Sequence, residues 1–190
     1  MNDHARSVAG APHRPIAFAP ARASRTTDAD GTIRLASAMP LGAYDPSLAR
    51  TFRGSVEAQP GRTFLQERAG NEWRKLTYED ARKTVDALAA ALIERGLSAE
   101  RPVMILSANS IEHGLLKLAC YTAGVPVAPV SVAYSLQSHD FAKLKYIAEL
   151  LAPGLIYVAD TAPFAKALAA IQGKAEIVAS RGDLPLAFRP

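Results

Sequence analysis

Side chains able to do acid–base or metal chemistry are sparse in this 190-residue sequence. The histidines are His4, His13, His113 and His139. No two stand three or four apart, the spacing that sets two imidazoles on one helix face around a metal. His113 falls one turn into an expected helix, beside its buried stripe, and reads as a structural or rim histidine rather than a catalytic one. Cys120 is the only cysteine, so neither an internal disulfide nor a Cys-based zinc cluster can form. It reads as a small core residue rather than a reactive thiol. The twelve glycines are all isolated, the closest pair being Gly54 and Gly61. A dinucleotide fingerprint needs glycines two and three apart, and a P-loop needs Gly-Lys after a spaced Gly. Neither can be built, and no Gly-x-Ser-x-Gly elbow occurs. What remains are hydroxyls and an amide at Ser107–Ser110, Ser131–Ser135 and Ala159–Thr161. Ligands of open α/β sheets gather beyond the carboxyl ends of strands, where these residues are expected. The same residues are ordinary helix caps, and Asp160 reads as a cap or turn residue rather than a ligand-binding one. Trp73 reads as a hairpin packing residue or a ligand platform.

The elements that would hold these residues follow from pattern. Asp30-Gly31 predicts a tight turn between two short strands within Arg22–Ser37, both turn residues taking positive φ. A helix is expected from Ser47 to Gln59 with Leu48, Phe52 and Val56 on one face, stopped by Pro60-Gly61. Thr63–Arg68 and Glu72–Leu76 flank Gly70-Asn71 as a second hairpin. Thr77 then opens the clearest helix: a capping hydroxyl, Glu79 and Asp80 in the first turn, and an apolar stripe of Ala81, Val85, Leu88 and Leu92. Arg95-Gly96-Leu97 closes it. From there the chain alternates. Strands are expected at Val103–Leu106, Val125–Val130, Leu155–Val158 and Glu176–Ala179. Between them lie helices with Ile111, Leu115, Leu118 and Thr122 inward, then Phe141, Leu144, Ile147 and Leu151, then residues 163–172. Pro126 and Pro129 favour an edge position for the second strand. Such alternation implies parallel strands joined by right-handed crossovers, a doubly wound sheet. The expected organisation is a mobile tail over 1–15, a hairpin-and-helix excursion over 16–62, and a partial α/β domain over 63–190.

Composition agrees: 49% hydrophobic, 21% charged and 7% aromatic residues describe a globular chain, neither disordered nor fibrous. No apolar run reaches the roughly 18 residues of a membrane helix, and no apolar segment follows the N-terminal charges as in a secretory signal. A cytoplasmic protein is therefore expected, with no membrane partner. Residues 1–54 hold seven Arg and four Asp, against fifteen bases and fourteen acids in 55–190. The excess charge lies on scattered arginines such as Arg6, Arg14, Arg22, Arg25 and Arg34. Nucleic-acid binding wants a contiguous basic face, so no nucleic-acid partner is expected.

Leu76-Thr77-Tyr78-Glu79-Asp80 and the helix after it resemble the first core motif of adenylate-forming enzymes. The stretch Leu118-Ala119-Cys120-Tyr121-Thr122-Ala123-Gly124-Val125-Pro126-Val127-Ala128-Pro129 resembles the second, and Arg101–Glu112 lies between them as in that family. Within the superfamily, Arg14–Pro20, Asp30–Ile33, Leu97–Pro102 and Val130–Leu136 resemble stretches of bacterial feruloyl-CoA synthases. The resemblance implies the N-terminal part of the adenylate-forming fold. It also implies a ligase that joins a hydroxycinnamate, a small aromatic acid, to coenzyme A through an acyl-adenylate. ATP, magnesium and CoA would serve the complete enzyme, and none is assigned to this segment.

The family's Thr/Ser/Gly-rich phosphate loop, magnesium carboxylate and C-terminal lysine all follow the two motifs found here. No catalytic, cofactor-binding or metal-ligating residue is therefore carried to a numbered position. The expectation is an interrupted ligase, inactive by itself, whose partner would be the missing remainder. Two other readings stay open. One is a non-catalytic module docking on a separately encoded remainder; the other is an unrelated doubly wound binding domain.

Overall fold

A computed structural model describes residues 20, 22–171, 173 and 175–182. The expected tail over 1–15, with His4 and His13, and most of the Arg14–Pro20 stretch lie outside the described residues. The chain falls into two compact units, one ending at Tyr44 and the other beginning at Asp45.

The first unit contains an antiparallel hairpin of β1 (Ala23–Thr27) and β2 (Ile33–Ser37). Of the turn residues only Gly31 takes a positive φ, at 86°, so the expected two-residue Asp-Gly turn is replaced by a longer one. The Gly31 N–H donates to the Asp28 carbonyl and the Asp28 N–H to the Thr32 carbonyl. Asp30 instead receives the Thr32 N–H on its carboxylate at 2.9 Å. That is a four-residue turn closed by a left-handed glycine.

The second unit opens with α1 (Leu48–Ala58), capped by Ser47, and the hairpin β3 (Thr63–Ala69) and β4 (Glu72–Thr77). Phe52 and Val56 are buried as expected, but Leu48 is 64% exposed. Phe52, Phe64 and Tyr78 form an aromatic cluster that joins helix and hairpin, with ring centroids 4.7–6.4 Å apart. α2 (Tyr78–Glu94) begins and ends as its sequence dictates. Thr77 Oγ1 accepts the Asp80 N–H, and Gly96 sits at φ 66° while the Leu97 N–H reaches the Leu92 carbonyl.

The remaining elements are β5 (Val103–Ile105), α3 (Ile111–Ala123), β6 (Val127–Pro129), α4 (Ala133–Leu136), α5 (Ala142–Leu151), β7 (Leu155–Asp160), α6 (Thr161–Ala170) and β8 (Glu176–Arg181). The four strands pair in parallel in the order β6-β5-β7-β8. The proline-bearing strand is at an edge, where its missing donor does no harm. Period-two alternation sorts the side chains. Val103, Ile105, Leu155 and Tyr157 enter one core with α1, α2 and α3. Met104, Leu106, Ile156 and Val158 enter the other with Leu144 of α5 and Phe164, Ala167 and Leu168 of α6. Both faces are covered, which is why these strands read as continuous apolar runs.

Three helices depart from expectation. The buried face of α3 includes Leu116, Ala119 and Cys120, with Leu118 and Thr122 only half buried, because the helix lies between α2 and the sheet. α5 is flanked by non-glycine residues in the left-handed region, Phe141 at φ 56° and Ala152 at φ 43°. The helix ends at Leu151, just ahead of Pro153-Gly154. α6 starts at Thr161 rather than 163, because the Asp160 carboxylate already accepts the Ala162 N–H at 3.0 Å. Along the first core face, Val178 of β8 is only half buried, beside an apolar groove of about 330 Å³. Among the described residues no helix is long and apolar enough to cross a membrane.

Candidate functional site

The strand order places a topological switch point between β5 and β7. From β5 the chain crosses through α3 to β6 on one side, then returns past β5 through α4 and α5 to β7. The crevice beyond the carboxyl ends of β5 and β7 is where such sheets take ligands. Each of the three stretches singled out by sequence follows the end of a sheet strand. Ser107–Ser110 follows β5, Ser131–Ser135 follows β6 and runs into α4, and Ala159–Thr161 joins β7 to α6.

Their hydroxyls and carboxylates are mostly committed. Ser107 is 4% exposed, and its Oγ donates to the Ala108 carbonyl at 3.1 Å. His113 Nδ1 lies 3.2 Å from Ser107 Oγ and 3.2 Å from the same carbonyl. With the Ser107 proton on Ala108, the Nδ1–H tautomer satisfies all three groups and leaves Nε2 as the acceptor. In that arrangement His113 braces the β5–α3 turn. Ser110 caps α3, accepting the His113 N–H at 3.1 Å, while Asn109 is exposed. Asp160 caps α6, and Gly182 follows β8 at φ 86° so close that a Cβ there would overlap Thr161 Oγ1. Ser135 is buried in α4, and its Oγ has no hydrogen-bond partner among the described residues.

A carboxylate that sequence reasoning missed also reaches this edge. Glu67 of β3 accepts the Ile111 N–H, at the first turn of α3, at 2.7 Å. Arg74 of β4 bridges Glu67 at 2.8 Å and Glu112 at 2.6 Å. Burial opposes the charge on Glu112, yet hydrogen bonds from the backbone and Arg74 outweigh it and hold the carboxyl below its ordinary range. Glu67 and Ile111 are 44 positions apart, so no local signal could have paired them. Beyond the first turn of α3, Tyr157 OH meets Ser180 Oγ at 2.7 Å, and burial raises the phenol.

The other singled-out residues take structural places. Cys120 is fully buried in the first core, and burial pushes its thiol up to about 12. Trp73 is 48% exposed, with the Arg68 guanidinium 4.8 Å above its ring. His139 is exposed in the loop before α5. Among the described residues no group of three or more His, Cys, Asp or Glu gathers to hold a metal ion.

A parallel sheet wound on both faces, with capped helix N-termini around a switch point, defines the doubly wound α/β class. The family of AMP-binding enzymes matches residues 52–186, and the chain belongs to that family. Tyrocidine synthase 1 of Brevibacillus parabrevis is 29% identical over 92 residues, which cover 48% of this chain and 8% of that protein. The fold is similar to the fatty acyl-adenylate ligase of L. pneumophila, solved with acyl adenylate and pyrophosphate. That match has a TM-score of 0.57 at 20% identity and covers 70% of this chain and 23% of the ligase. It is also similar to the N-terminal subdomain of Klebsiella oxytoca NpsA in complex with 3-hydroxyanthranilyl-AMSN. There the TM-score is 0.54 at 20% identity, covering 70% of this chain and 31% of that one. The chain therefore spans under a third of these structures and under a tenth of the curated relative. Its α/β fold is that of the N-terminal part of adenylate-forming enzymes.

Proposed function

We propose that this chain is the N-terminal segment of a cytoplasmic, ATP-dependent acid–CoA ligase of the feruloyl-CoA synthase type. In that reaction a hydroxycinnamate carboxylate attacks the α-phosphate of ATP, giving the acyl-adenylate and releasing pyrophosphate. The CoA thiol then attacks the acyl carbon, and AMP leaves. Most of the rate in such a reaction comes from holding carboxylate and phosphate in line and stabilising charge as it develops. The observation that carries the reading is the AMP-binding match over residues 52–186, on a sheet where Ser110 and Asp160 at the crevice are spent on helix caps. This segment would supply the wall of the site. ATP, magnesium and CoA would be met by the phosphate loop and C-terminal lysine of a longer polypeptide, the partner of this segment.

ATP–pyrophosphate exchange with ferulate tests it. The 190-residue chain should give none, and a polypeptide joining it to a phosphate loop and C-terminal domain should give ferulate-dependent exchange. Exchange by the chain alone would overturn the assigned division of labour. Exchange by the longer polypeptide with other acids but not hydroxycinnamates would overturn the substrate. The groove beside Val178 favours a second reading, a non-catalytic module that docks on a separately encoded remainder. Co-purification with a polypeptide bearing the phosphate loop would support it, and a partnerless stable monomer would refute it.

A further inference from the structure

The first N–H groups of a helix have no carbonyl of their own turn to bond, and a local side chain normally takes one of them. In α3 the role is shared. Ser110 Oγ accepts the His113 N–H at 3.1 Å, and Glu67 Oε2, from β3, accepts the Ile111 N–H at 2.7 Å. A carboxylate in that place makes a charge-assisted bond and stands at the positive end of the helix. Its other oxygen, Oε1, lies 2.8 Å from Arg74 Nη2, which also reaches Glu112 Oε1 at 2.6 Å. Glu67 and Arg74 are direct cross-strand partners, so the hairpin register itself presents both to α3. Leu65 shares the strand face of Glu67 and packs against Gly114, where an added Cβ would meet Leu65 Cδ1 at 3.3 Å. One face of the hairpin therefore holds α3 at its first backbone N–H, at Glu112 and at Gly114.

The turn before α3 is itself tied down. Ser107 Oγ donates to the Ala108 carbonyl, and His113 Nδ1 lies against both groups. Asn109 is exposed, and its amide has no hydrogen bond among the described residues. We propose that Glu67 is a positioning residue of the crevice: as a cap supplied from β3, it fixes the first turn of α3 and, through it, the exposed Asn109. This rests on the crevice beyond β5 being the functional site, and on no particular substrate. The hairpin β3–β4 is then part of that site, although neither of its strands belongs to the parallel sheet.

Amide NMR of the full chain tests this without any ligand, so its failure is distinct from a failure of ATP–pyrophosphate exchange. In the wild type the Ile111 amide should be protected from solvent exchange. Glu67→Ala should lower that protection by about tenfold or more, the scale of a lost hydrogen bond to a charged group, and should shift the side-chain amide signals of Asn109. Glu67→Gln keeps an acceptor at the same reach, so most of the protection and the Asn109 signals should return. Because that variant lacks the charge, its Ile111 amide proton should move upfield. Gln66→Ala, on the opposite face of β3, should leave both residues unchanged. An unprotected Ile111 in the wild type overturns the proposal. So do Asn109 signals that stay in place in Glu67→Ala, or that move equally in Gln66→Ala. Should Glu67→Ala fail to fold, an Ile111 resonance unmoved in Glu67→Gln refutes the assignment by itself.

Discussion

Raising the pH should destabilise this fold through a single buried thiol. Cys120 is fully buried, and its folded-state pKa of about 12 lies some three units above its ordinary value of 9.0. Between those values the unfolded chain gives up the thiol proton while the folded chain keeps it. The unfolded state then binds fewer protons, so stability falls as pH rises, by about 1.4 kcal/mol per unit. Below pH 9 both states are protonated and the group adds no pH dependence. Cys120→Ala isolates the effect. At pH 7 the variant loses burial of the sulfur and should be less stable by about 1–2 kcal/mol. By pH 11 the wild type has lost roughly 3 kcal/mol that the variant keeps, so the order reverses. Tyr157 is also raised by burial, but it is present in both proteins and cancels from the difference. Urea unfolding of both proteins at pH 7, 9, 10 and 11 measures it. Parallel stability curves above pH 9, or rapid thiol labelling of the folded wild type at pH 8, would refute the reasoning.

Other outcomes follow from named contacts. Gly154→Ala puts a Cβ 2.9 Å from Arg101 Cβ and 3.1 Å from Leu97, so denaturation should show a loss of about 1–3 kcal/mol. Gly61→Ala, with nothing within 4 Å, serves as the near-neutral control. Ala152→Gly relieves a left-handed residue at the end of α5 and should raise the melting temperature, by up to about 1 kcal/mol of stability. Leu144→Ala empties a fully buried site between α5 and the sheet, and unfolding should register a cost of about 2–4 kcal/mol. Because the Glu112 carboxyl is held below its ordinary range, its contribution is intact above the unfolded value and disappears as pH falls through the folded one. Glu112→Gln should therefore flatten acid unfolding below pH 5, and an unchanged acid limb would contradict the assignment.

Much of this architecture can be read from local chemistry. Thr77, Gly96 and Gly124 mark helix ends because caps and left-handed glycines act within a few residues. The apolar runs around Val103 and Leu155 announce strands buried on both faces. Features that depend on distant partners could not be read. Strand order places β5 between β6 and β7, which only the pairing reveals. α4 is four residues long, too short for a periodic signal, and the burial of its Ser135 follows from packing alone. Phe141 takes a left-handed conformation that no propensity would assign to it. The site divides the same way. Its loops were visible at the ends of strands, whereas the Glu67–Arg74–Glu112 bridge joins three separate elements.

The central strand carries a timing consequence for synthesis. β5 bonds to β7 through Val103↔Leu155, about fifty residues downstream. At roughly 5–20 residues per second, several seconds pass on the ribosome before that partner is made. Throughout that interval Val103–Leu106, wholly buried in the finished fold, has one edge without a mate. Slowed translation between codons 106 and 155 would lengthen the window in which a chaperone or a neighbouring nascent chain can seize it.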